Sequence, residues 1–95
     1  MMKESALQTK FLVEVRKNKL IALKLESRTN TGFPDVLVIG PYGLHWFVEF
    51  KTLTGELTVK QEYIIDKLRK YKHNVFVCTE DNYDKIIEEI LEVSL

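Results

Sequence analysis

The sequence predicts an α/β domain in which a mixed four-stranded sheet is flanked by helices, with the elements in the order αβββαβα. Four short apolar runs, at residues 20–27, 36–39, 44–51 and 74–79, have the length and composition of strands. Three stretches, at about 3–18, from 58 onward, and around 83–91, instead repeat their apolar residues at helical spacing. Only Gly40-Pro41-Tyr42-Gly43 separates the second strand from the third, which makes an antiparallel hairpin. The third and fourth strands enclose a helix, which calls for a parallel, right-handed crossover.

Each element follows from its own residues. In the first helix Leu7, Phe11, Leu12 and Val15 fall on one face, and Asn18-Lys19 ends it. Glu4 and Gln8, one turn apart, share a side. The first strand alternates, with Ile21, Leu23 and Leu25 on one face and Ala22, Lys24 and Glu26 on the other. Thr29 to Gly32 is a loop. In the hairpin, Pro41 at the second turn position and Gly43 at the fourth suit a type I turn. Along the strand that follows, Trp46, Val48 and Phe50 lie on one face and Phe47, Glu49 and Lys51 on the other, so both faces begin apolar and only the end turns polar. His45 is expected to have no second histidine nearby, which argues against a metal ligand.

Thr58-Val59-Lys60-Gln61 has the form of a capping box, yet Gln61, Ile64, Ile65 and Leu68 also form one stripe, so the amide has two competing uses. After the fourth strand, Thr79 is placed to cap the last helix, with Glu80 and Asp81 in its first turn. Tyr83, Ile86, Ile87, Ile90 and Leu91 make that helix's apolar stripe, with Glu88, Glu89 and Glu92 toward solvent.

The hairpin carries charge where strands are costly to charge. Asp35 stands at the start of one apolar run, and Glu49 and Lys51 stand near the end of the next, so antiparallel pairing brings the three together. Two carboxylates among apolar strands repel one another and lose hydration, a penalty that a cation or hydrogen bonds must offset. A salt-bridged strand edge, with Asp35 capping a turn, and a divalent-cation site both satisfy that spacing.

Taken in order, Gly32-x-Pro34-Asp35, Glu49-x-Lys51 with Thr54-Gly55 behind it, Gln61, and the N-terminal Glu4 resemble the PD-(D/E)XK nuclease superfamily, most closely its VRR-NUC family in the stand-alone, phage-type form. The resemblance spans nearly the whole chain and implies a restriction-endonuclease-like core. It implies catalytic roles for Asp35, Glu49, Lys51 and Gln61, with Gln61 reaching Lys51 and a scissile phosphate. Asp35, Glu49 and the backbone carbonyl of Phe50 then offer hard oxygen ligands suited to Mg²⁺ or Mn²⁺, with Glu4 joining through a water or helping to hold a second ion. The alternative for Glu4 is an ordinary acid in a first helical turn, favoured by the macrodipole. Arg28 and Asn30, in the loop before Asp35, and Lys60 are candidates for contacting nucleic acid, and each also reads as an ordinary surface residue.

The implied activity is metal-dependent hydrolysis of DNA phosphodiester bonds in replication, recombination or repair. It is structure-selective for four-way (Holliday) junctions or other branched DNA and carried out by a homodimer. A non-catalytic DNA-binding or assembly module with a nuclease-like fold would be expected to have lost Asp35, Glu49 or Lys51, and none is missing. An RNA-directed phosphodiesterase would keep all three.

Composition sets the outer bounds. Ninety-five residues, 45% of them hydrophobic, suffice for one modest core and one domain, residues 1–95. No apolar run approaches the roughly 20 residues that span a bilayer, and the N-terminus lacks a signal peptide's apolar segment, so the expectation is a soluble, cytoplasmic protein of phage or bacterial context with no membrane partner. Cys78 is the only cysteine, which excludes a disulfide framework or a zinc cluster, and its apolar neighbours point to a buried thiol. The formal charge is zero but unevenly placed: residues 58–73 carry five Lys/Arg against two Asp/Glu, and residues 74–95 carry one against six. Tyr42, Leu44, Tyr63 and Tyr71 exceed what one small core needs to bury.

Overall fold

The computed structural model describes residues 1–26 and 31–94. The elements run α1 (Glu4–Lys17), β1 (Ile21–Lys24), β2 (Val36–Ile39), β3 (His45–Phe50), α2 (Val59–Lys70), β4 (Asn74–Cys78) and α3 (Tyr83–Ser94), the predicted order. The sheet order is β1-β2-β3-β4. β1 and β3 pair antiparallel with β2, and β3 pairs parallel with β4, so the sheet is mixed for the reason the connections required.

Strand alternation divides the molecule into two layers. Ala22, Val36, Val38, Trp46, Val48, Phe50 and Cys78 face α1 and α3 in one continuous core. Phe11, fully buried, ties that layer together: its ring meets Phe50 edge-on at 5.3 Å and Tyr83 at 6.2 Å, joining α1 to β3 and α3. The predicted helical stripe Leu7, Phe11, Leu12 and Val15 is the buried one. Burial pushes the Cys78 thiol up to about 12, as suits an inert packing residue. The opposite sheet face carries Phe47, Glu49, Val75 and Val77, and α2 lies on it with Ile65 buried.

Several local details differ from the sequence reading. The β2–β3 turn is centred one residue later: Leu44 N–H donates to the Pro41 carbonyl, with Tyr42 at φ 60° and Gly43 at φ 74°. Two positive φ values make a turn of the I′ kind, whose twist matches that of a hairpin, whereas type I would splay the strands. α3 begins at Tyr83 rather than beside Thr79, because Asn82 takes the end of the loop. Its side chain accepts from Thr79 N–H at 2.8 Å and donates to the Val77 carbonyl at 2.9 Å. In β1 small Ala22 faces the core, while Ile21 and Leu23 are 58% and 47% exposed on the other face. His45 does have a histidine partner. Its Nε2 lies 3.1 Å from His73 Nδ1, since the parallel register that sets Trp46 opposite Asn74 brings the preceding residues together as well.

Candidate active site

The two strand acids meet at the open end of the β2–β3 pair. Val36 stands opposite Val48, so the next step along the hairpin sets Asp35 across from Glu49. Asp35 is held from both sides: its backbone carbonyl accepts Leu25 N–H at 2.8 Å, and its carboxylate Oδ2 accepts Phe50 N–H at 3.0 Å. The Phe50 peptide therefore lies between the two acids while its side chain points into the α1–α3 core. Lys51, half-buried, follows on the Glu49 face, and its backbone N–H extends the ladder to the Cys78 carbonyl at 3.0 Å.

Among the described residues Glu49 is the one buried charged side chain, at 2% exposure. Its Oε2 accepts from Gln61 Nε2 at 2.9 Å, whereas its Oε1 is buried with no donor to satisfy it in the ionised form. Burial first, and then the Asp35 carboxyl beside it, which hydrogen-bonds the protonated form and repels the ionised one, push its pKa from 4.5 up to about 8; Lys51 pulls the other way, and Glu4 adds a little. A glutamate so placed is a site under electrostatic strain, and an orphaned oxygen beside a second carboxylate is what a hard cation would satisfy. Asp35 and Glu49, with the Phe50 carbonyl, thus fit Mg²⁺ or Mn²⁺ in donor chemistry. Glu4 is exposed in the first turn of α1; its charge is felt by Glu49, but among the described residues no three acids, histidines or cysteines converge on one point.

Gln61 completes the capping box and also contacts a strand acid. Thr58 Oγ1 accepts Gln61 N–H at 3.1 Å, and Gln61 Oε1 accepts Thr58 N–H at 2.9 Å, completing the capping box. The remaining amide nitrogen reaches Glu49 rather than Lys51, so the start of α2 and the buried acid are fixed to one another. Thr58→Ala is expected to cost about 1 kcal/mol, read as a lower urea midpoint at unchanged slope. The first turn of α2 also presses on the loop before Asp35: a Cβ on Gly32 would stand 2.7 Å from the Lys60 carbonyl oxygen, so glycine is required there for close approach. The Lys60 side chain is exposed nearby, whereas Arg28 and Asn30 lie outside the described residues. The Gln61–Glu49 link itself was missed from the sequence, because only folding brings α2 against β3.

A hairpin bearing paired acids, a lysine two residues after the second acid, and a helix packed against them make a nuclease-like α/β fold. The chain belongs to the VRR-NUC domain family, whose profile matches residues 2–82. A solved structure described as a VRR_NUC domain is similar to it at 32% identity and a TM-score of 0.81, covering 93% of this chain and 97% of that one. No curated protein matches the chain. No helix among the described residues is long and apolar enough to cross a membrane.

Proposed function

We propose that this protein is a Mg²⁺- or Mn²⁺-dependent endonuclease that hydrolyses DNA phosphodiester bonds, selectively in four-way junctions or other branched DNA. The observation that carries the reading is the buried Glu49, with one oxygen orphaned, beside Asp35. The chemistry a divalent cation supplies when bound is Lewis acidity, which lowers the pKa of water and stabilises charge on a phosphoryl oxygen. Asp35 and Glu49 would hold it as charge-matched ligands, and the Phe50 carbonyl as a neutral one. Gln61 holds Glu49 in its rotamer, and Asp35 is held by Phe50 N–H, so the acids need little rearrangement to bind. Lys51 lies on the same face, where it either orients the attacking water or, as the neutral amine, deprotonates it, or else as the ammonium neutralises the transition state.

Labelled linear, flapped and four-way-branched DNA, incubated with and without Mg²⁺ or Mn²⁺, tests this proposal with Lys51→Ala as the control. Cation-dependent cleavage that prefers branched substrates is expected. Equal cleavage of linear and branched duplexes removes the selectivity, and cleavage of RNA alone transfers the reading to an RNA-directed phosphodiesterase.

The active species in this proposal is a homodimer, in which two sites in fixed relation match the two-fold character of a junction. Ile21 and Leu23, exposed on the sheet face opposite the α1–α3 core, support pairing through apolar surface. Light scattering at micromolar concentration is expected to give twice the 11.2 kDa chain mass, and a monomer there would contradict the assembly.

A further inference from the structure

We infer that the outward face of α2 is a stacking ridge for an unpaired strand of the DNA substrate, running away from the candidate active site. The inference rests on the nuclease reading above and adds a surface to it. On the face of α2 opposite buried Ile65, Lys60, Tyr63, Lys67, Lys70 and Tyr71 recur at helical spacing. Tyr63 and Tyr71 are 61% and 60% exposed, far more than large aromatic rings need to be when a core is available. The Lys67 ammonium sits between them, 5.6 Å from the Tyr63 ring centre and 5.9 Å from that of Tyr71. The two rings and the lysine form one cation–π ladder rather than separate surface residues. Together with Asp66 and Lys70 they line a shallow groove, in which Asp66 is the single acid.

Three features favour an unpaired nucleic-acid strand as the occupant. Charge is the first: this face carries three lysines against a single acid in the groove, whereas α3 on the opposite layer presents the exposed acids Glu88, Glu89 and Glu92, so of these two helices α2 is the one that attracts a polyanion. The second is chemistry. Duplex DNA offers phosphates to lysines but keeps its base faces stacked inside, so exposed tyrosine rings gain only from unstacked bases. Position is the third. The ridge begins in the turn that holds Gln61 on Glu49 and presses Lys60 against Gly32, and at 1.5 Å per residue it extends about 16 Å from there, room for roughly two or three nucleotides. A strand leaving the cleavage point of a flapped or branched substrate passes onto it.

The test measures binding by fluorescence anisotropy in EDTA, with a labelled oligothymidine, a blunt duplex of equal length, and the same duplex bearing a single-stranded flap. Tyr63→Ala with Tyr71→Ala is expected to weaken binding of the oligothymidine and the flap at least about tenfold while changing the blunt duplex less than twofold. Tyr63→Phe with Tyr71→Phe should restore the affinity, since stacking needs the ring and not the hydroxyl. Lys67→Gln should reduce the slope of log affinity against log salt for the oligothymidine by about 0.7, one phosphate contact. Unchanged flap and oligothymidine binding in the double alanine variant overturns the ridge, as does an equal loss on the blunt duplex. The nuclease reading fails separately: tyrosine-dependent binding without any cation- and Lys51-dependent cleavage would remove the enzyme and keep the ridge.

Discussion

Replacing Lys51 by alanine is expected to leave the fold and DNA binding in place and to slow cleavage by about two orders of magnitude or more. The separation follows from where Lys51 is anchored. Its contribution to the sheet is a backbone N–H donated to the Cys78 carbonyl, which alanine keeps, and its half-buried side chain lies outside the continuous apolar core. What the ammonium adds is charge, directed at the acids it faces, and it is the one group that draws the Glu49 pKa down. Single-turnover cleavage at saturating Mn²⁺, set beside anisotropy binding, isolates that charge from cation affinity. Cleavage near the wild-type rate would make Lys51 a salt-bridge partner at the strand end.

Glu49→Gln is expected to abolish Mn²⁺ binding in calorimetric titration while making the cation-free protein more stable at alkaline pH. The sign follows from the raised pKa. A carboxyl that titrates at about 8 in the folded chain and near 4.5 in the unfolded one stabilises the fold fully below 4.5, and that contribution is lost as pH rises through 8. Glutamine stays neutral, so thermal melting of the variant should lack the decline in stability that Glu49 contributes between about pH 4.5 and 8. Cation binding must displace the proton from Glu49, so wild-type affinity should climb about tenfold per pH unit between roughly 5 and 8 and then level off. Asp35→Asn removes the second ligand and is expected to abolish binding as well. Undiminished binding in both variants would sink the metal assignment.

Much of this was open to reading in the sequence because strand and helix periods are local. Leu7, Phe11, Leu12 and Val15 mark the buried side of α1 by spacing alone, and the hairpin places Asp35 opposite Glu49 once its two strands are recognised. Turn geometry was less legible. Proline at position 41 suits a type I turn locally, but the twist of the paired strands selects positive φ at Tyr42 and Gly43 instead.

By itself, then, the sequence determined the order of elements, because strand and helix periods are local, and the mixed sheet, because a short turn requires an antiparallel pair and an intervening helix a parallel one; Asp35 and Glu49 stood out as charges in apolar strands. Tertiary structure alone decided what surrounds those acids. That Glu49 keeps one oxygen bonded to Gln61 and the other unpartnered depends on how α2 seats against β3. That His45 meets His73 depends on the parallel register of β3 and β4. That Tyr63 and Tyr71 face outward depends on Ile65 turning the other side of α2 to the sheet. Burial and electrostatic strain arise from contacts between elements far apart in the chain, and no local period encodes those contacts.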